Sequence, residues 1–160
     1  MGRCDLTAGD SVNPPATGAP PADTDRTEPF SWTVRVYYED TDAGGVVYYA
    51  NYLKYAERAR TEWLRALGFE HSDLAQHDGV AFVVRSVSID YLSPARFNDG
   101  LQVTVELIKV GAGQIDLIQR VLRSGAVLAK ASVKVVCVRL RTGRPVRMPR
   151  QLATRIRTEA

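Results

Sequence analysis

Glu39-Asp40-Thr41-Asp42-Ala43-Gly44-Gly45 sets three carboxylates against a glycine pair, and a tyrosine-bearing run with helical spacing follows. Three kinds of chemistry use such a stretch. The first is structural: aspartates accept backbone N–H bonds in turns and at helix starts, and glycine permits positive φ. The second is calcium binding. With Asp40 at loop position 1, Asp42 falls at 3 and Gly45 at 6, but position 12 is Asn51 instead of a bidentate Glu and position 5 is Gly44. A strand-like run also precedes the loop where a helix is required, so calcium is set aside. The third is acyl transfer. A carboxylate on a loop just before a helix supplies a general base or nucleophile, and the helix start supplies unpaired N–H donors for a developing oxyanion. The glycines would let a substrate approach the backbone closely.

Elements on both sides must hold these groups. Ser31 to Tyr38 alternates, with Trp32, Val34, Val36 and Tyr38 on one face, which predicts a strand. Tyr52, Ala56, Ala59, Trp63 and Leu67 recur at three- and four-residue spacing, which predicts one long helix from Asn51 to Leu67 with Gly68 as its C-terminal stop. Arg58 and Glu62 sit four apart on its wetter side. Strand-like runs follow at 80–92, 101–110, 114–123 and 126–140, joined by Ser93-Pro94, Gly111-Ala112-Gly113 and Ser124-Gly125. A short final helix is expected after Pro149. One long helix followed by hairpin-connected strands indicates an α+β domain with a five-stranded antiparallel sheet. A single long helix leaves part of such a sheet without cover, so self-association is expected.

The totals set limits. The chain has 160 residues, 45% hydrophobic and 24% charged, which suits one soluble domain with a real core. No apolar run approaches the ~20 residues of a membrane span, and the first residues have no apolar stretch of the secretory kind. Residues 1–29 are rich in Pro, Ala, Gly, Thr and Asp and predict a disordered tail, with the folded domain over 30–160. Cys4 lies in that tail and Cys137 in an apolar alternating run, where a buried free thiol is expected; a reducing compartment fits. The tail carries five acids against two arginines, whereas residues 141–160 carry six arginines against one acid. That basic end is a solvated face or a contact for phosphates or an acidic partner.

The run RVYYEDTDAGGVVYYANYLKYAERARTEWLR resembles the hotdog-fold acyl-CoA thioesterases of the 4-hydroxybenzoyl-CoA thioesterase family, closest to the Tol-Pal-associated (YbgC) branch. FVVRSVSIDYLSPARFNDGLQV and GRPVRMP extend the similarity from about Phe30 to Pro149. The resemblance implies a hotdog fold, a long central helix wrapped by a curved antiparallel sheet. It also implies dimers joined edge to edge, often paired into homotetramers, with sites at the subunit interface. Carried over residue by residue, it makes Asp42 the essential acid, as nucleophile or general base. It gives the Tyr49 backbone N–H the thioester carbonyl, makes Asn51 an orienting group and marks Tyr38 as a further site position. Many members of the branch have His where this chain has Tyr49, and a phenol with a pKa near 10 moves protons poorly at neutral pH.

Asp40 is expected to accept bonds within the turn, and Glu57 and Arg58 to form a surface or interface ion pair. Arg85, Ser86 and Ser88 are candidate substrate contacts from a partner subunit, and Arg96 and the C-terminal arginines candidate contacts to coenzyme A phosphates. His71 and His77 are expected in a surface loop outside the site. The expected activity is cytoplasmic hydrolysis of an acyl-CoA to free acid and coenzyme A, with no metal, no redox cofactor and no nucleic acid. Two rivals stay open: hydration or dehydration of an acyl thioester, for which no His lies near the loop, and a catalytically weak protein that binds acyl carrier protein or envelope-associated partners.

Overall fold

The computed structural model describes residues 28–158. All but the last two residues of the expected tail, Cys4 among them, lie outside the described residues. The chain runs β1 (Phe30–Arg35), a 3-10 turn (Tyr38–Asp40), α1 (Asn51–Ala66), a one-turn helix α2 (His71–Asp73), β2 (Val80–Tyr91), β3 (Gly100–Val110), β4 (Gln114–Arg123), β5 (Ala126–Arg139) and α3 (Arg150–Thr158). The five strands form one antiparallel sheet in the order β1-β3-β4-β5-β2, so β1 and β2 are its edges. This is the hotdog arrangement of an α+β domain.

The apolar stripe of α1 does what its spacing predicts. Tyr52, Ala56, Ala59, Trp63 and Leu67 are all buried. Tyr52, Ala59, Trp63 and Leu67 share one core cluster with the inward residues of the sheet: Leu101, Val103 and Val105 on β3, Leu117 and Val121 on β4, and Ala129, Ala131 and Val133 on β5. A helix of this length takes its stability mainly from such packing. It ends one residue before Leu67, because Gly68 at φ +88 turns the chain. Gly68 N–H then donates to Arg65 O and Phe69 N–H to Leu64 O, the paired bonds of a Schellman stop. On the wet face, Glu57 pairs with Arg60, while Glu62 and Glu70 share Arg65.

The first strand is shorter than its alternation suggests. Val34 and Val36 are buried, but Trp32 is 39% exposed and Tyr38 76%. The ladder stops at Arg35, and the Asp40 carboxylate accepts Tyr37 N–H at 2.9 Å to close the 3-10 turn. Tyr38 is thereby turned outward and stacks on Phe97, ring centroids 3.9 Å apart.

The hairpin positions hold: Ser124 and Gly125 both have positive φ, as a two-residue hairpin turn needs. Gly113 lies so close to Val146 O that a Cβ there would stand 2.1 Å away. The segment after β5 therefore folds back over the β3–β4 turn. Cys137 is wholly buried and free, and burial pushes its thiol pKa up. Among the described residues, no helix is long and apolar enough to cross a membrane.

Candidate functional site

The acidic loop is a tight, internally bonded turn. Asp42 N–H donates to Val46 O, Gly45 N–H to Asp42 O, and Thr41 bridges to Val47. The two neighbouring acids end in different environments. Asp40 is 7% exposed, and its carboxylate is taken up by the Tyr37 amide. Asp42 is exposed, and its Oδ1 accepts Gly44 N–H at 2.8 Å. Each carboxylate thus serves a turn, but only that of Asp42 faces solvent, with one oxygen anchored.

The start of α1 is pinned to this loop. Asp40 O accepts both Tyr48 N–H, at 2.9 Å, and Asn51 Nδ2, at 2.8 Å. Asn51 N–H donates to Tyr48 O and Leu53 N–H to Ala50 O. None of the described backbone bonds is donated by Tyr49, and no side chain caps the helix. An unpaired amide at a helix start is the donor that an oxyanion needs. Asn51 itself is 5% exposed, with its amide nitrogen committed to Asp40 O.

Aromatic rings surround this amide. Tyr48 and Tyr49 are exposed, 4.6 Å apart, and Tyr91 from the end of β2 meets Tyr49 edge-on at 6.4 Å and Tyr52 at 5.4 Å. Tyr91 Oη donates to Tyr49 O at 3.0 Å. Tyr52 Oη accepts Ala95 N–H, and Ala95 O accepts Val47 N–H. The Tyr49 phenol, by hydrogen bonding and charge, raises the Tyr48 pKa; slight burial and the Asp42 charge add to it. Tyr55 is wholly buried. Its hydroxyl closes no hydrogen bond of normal geometry, and burial together with the Asp40 carboxylate pushes its pKa well above the usual phenol value.

The remaining expected residues divide sharply. Tyr38 lies on the turn before Asp42, exposed against Phe97. Ser86 pairs with Lys134 and Ser88 with Ser132, whereas Tyr91, Ile89 and Val87 pair with the inward residues Ala129, Ala131 and Val133. Directly paired residues share a face, so Ser86 and Ser88 lie on the side of the sheet away from α1. Arg85 sits at a break in register between Val84 and Ser86. Within one chain, none of the three is brought to Asp42. Arg96 belongs to the same loop as Ala95, beside the site. Arg139 stands ten strand residues from Ala129, the partner of Tyr91, or about 33 Å along β5, and Arg144 O accepts its N–H.

His77 is exposed, as expected, but His71 is not a plain surface residue. It is half-buried and helps line an open cleft of about 510 Å³, solvent space included. Trp63, Phe82, Val135 and Ile156 form apolar walls, with Glu57 and Arg60 on the α1 side. Trp63 is fourteen residues past Tyr49, about 21 Å along the helix. Neither this cleft nor Tyr91 is legible in a linear motif, because only the sheet register and the path after Gly68 assemble them.

Residues 36–156 match the model of the thioesterase-like superfamily. The chain belongs to this superfamily. It is 49% identical over 123 residues to the acyl-CoA thioesterase YbgC of Haemophilus influenzae, covering 77% of this chain and 90% of that one. Identity to the acyl-CoA thioester hydrolase YbgC of Escherichia coli is 43% over 124 residues, covering 77% and 92%. The crystal structure of a probable thioesterase from Bartonella henselae superimposes with a TM-score of 0.72 at 34% identity, over 74% of this chain and 98% of that one. This member of the thioesterase-like superfamily thus shares most of its folded length with those relatives.

Proposed function

We propose that the protein is a thioester hydrolase that cleaves acyl-CoA to a free acid and coenzyme A. One observation carries the reading: an exposed carboxylate and an unpaired helix-start amide are held on one bonded turn, in a chain of the thioesterase-like superfamily. The thioester carbonyl oxygen accepts Tyr49 N–H. The Asp42 carboxylate either attacks the carbonyl carbon, expelling the coenzyme A thiolate and forming an acyl–Asp42 anhydride that water then hydrolyses to free acid and Asp42, or takes a proton from the water that attacks and gives it to the departing thiolate. Developing charge on the carbonyl oxygen is stabilised by the amide and the helix end. The Tyr49 phenol is not needed as a proton shuttle in this scheme. Asn51 acts through the turn it secures.

Arg96 is the better candidate for coenzyme A phosphates, since it follows Ala95, whose backbone is bonded to both Tyr52 and Val47 at the site. Self-association supplies the rest. β2 is a free edge of twelve residues with Val83, Val84, Val87 and Tyr91 exposed, a ready template for pairing with a second copy. We place the protein in the cytoplasm as a homodimer or homotetramer.

Thiol release from short-chain, long-chain and aromatic acyl-CoAs, wild type against Asp42→Ala, tests the reading. Release that collapses in a folded variant supports it. Release that survives the substitution removes Asp42 from the chemistry. Absence of release from every substrate, together with salt-sensitive binding of an acidic acyl carrier protein, favours a binding role instead.

A further inference from the structure

The end of the free edge strand reaches the helix start at a single polar contact. Tyr49 O is not used by the helix ladder, since Leu53 N–H turns to Ala50 O. It is taken instead by the Tyr91 hydroxyl at 3.0 Å. The Tyr91 ring cannot swing freely, because it packs edge-on against both Tyr49 and Tyr52, and Tyr52 is 3% exposed with its own hydroxyl fixed by Ala95 N–H. The residue whose amide is unpaired is therefore secured on its other side from a strand forty-two positions away in sequence.

We propose that Tyr91 is a positioning residue: by holding the Tyr49 carbonyl it sets the direction in which Tyr49 N–H meets the thioester oxygen. This rests on the thioesterase reading. Three bonds then define the Tyr48–Asn51 turn. Tyr48 N–H and Asn51 Nδ2 fix its loop side through Asp40 O, and Tyr91 Oη fixes its strand side. Burial and the neighbouring phenols of Tyr49 and Tyr52 raise the Tyr91 pKa, so the group stays a protonated donor at neutral pH. The Tyr49 carbonyl lies in the peptide to Ala50, whereas Tyr49 N–H lies in the peptide from Tyr48, whose oxygen accepts Asn51 N–H. The two planes meet at the Tyr49 Cα, so holding the first limits rocking of the second. A donor that loses this restraint loses effect in the transition state more than in substrate binding. Because Tyr91 ends the edge strand, it also makes the helix start sensitive to whatever pairs with that edge.

Tyr91→Phe removes one hydroxyl and keeps the ring. The full chain, uniformly labelled with ¹⁵N, is compared as wild type and variant by amide spectra and hydrogen exchange, then by steady-state thiol release. The expected result is a shifted Ala50 amide, whose peptide carries the bonded carbonyl, with a shift of the Tyr49 amide beside it, and kcat lower by about 3- to 10-fold at unchanged KM, the equivalent of one hydrogen bond. Unmoved amides overturn the proposal, whatever the activity. A raised KM with unchanged kcat also overturns it, since Tyr91 would then touch substrate directly. Amides that move in a protein releasing no thiol keep the positioning role and sink the thioesterase reading instead. Tyr91→Leu, which keeps an apolar side chain and carries no donor, repeats the amide test should the Phe variant fold poorly.

Discussion

Asn51 Nδ2 stands 2.8 Å from Asp40 O, and both residues are buried. The first side chain of α1 is thus bonded to the residue that opens the acidic loop, eleven positions back. Since the same carbonyl also accepts Tyr48 N–H, the two ends of the Asp42 loop are clamped at one oxygen.

Asn51→Ala should therefore cost more than an ordinary first-turn substitution. A buried side-chain bond is lost while Asp40 O keeps one partner, so a loss of about 0.5–1.5 kcal/mol is expected in urea unfolding. Thiol release should also fall, because the turn presenting Tyr49 N–H is loosened. A variant with wild-type stability and rate would show that the clamp does not matter.

Gly44 bears on the acid itself. A Cβ there would stand 3.0 Å from Asp42 Oδ1, so Gly44→Ala must push the carboxylate aside. Stability should change little, since the loop is exposed, whereas kcat should fall on the order of 10-fold or more, as expected when a reacting group is misplaced. Equal kcat in the two proteins would show that the rate does not depend on where this turn holds the Asp42 carboxylate.

Asp99 predicts the acid limb of the stability curve. Burial alone would raise its pKa, but Arg96 N–H at 2.8 Å and the Arg123 guanidinium at 2.7 Å outweigh it and hold the carboxyl below its usual value. A group with a lower pKa folded than unfolded contributes fully above the unfolded value, about 3.9, and loses that contribution as pH falls through the folded value. Asp99→Asn should be less stable than wild type at pH 7 and the gap should close below about pH 4. Denaturation at pH 7, 5 and 3 measures it, and a gap independent of pH would assign the effect to packing.

Val87, 42% exposed on the free edge strand, reports on assembly. Lysine is a recognised way of blunting a sheet edge, so Val87→Lys should shift sedimentation toward monomer with the fold intact. An unchanged oligomer would move the interface away from β2.

Much of this was legible in the residues. The period of α1, its glycine stop, the hairpin turns and the buried Cys137 all follow from local preferences and from side chains that alternate or recur toward one core. The acidic loop was legible as well, because a turn, its anchoring carboxylates and the helix start lie within about a dozen contiguous positions. What adjacency along the chain cannot encode is which face a residue finally occupies. A break in register beside Arg85 and the antiparallel pairing with β5 put Ser86 and Ser88 on the far side of the sheet and Tyr91 on the near one. A 3-10 turn took Tyr38 out of its expected strand. The path after Gly68 carried His71 back to a cleft beside Trp63. These placements depend on contacts between residues distant in sequence, where burial and pairing across the whole sheet outweigh local pattern. The tertiary structure alone therefore decided that Asp40 is buried and Asp42 exposed, although the two stand two residues apart.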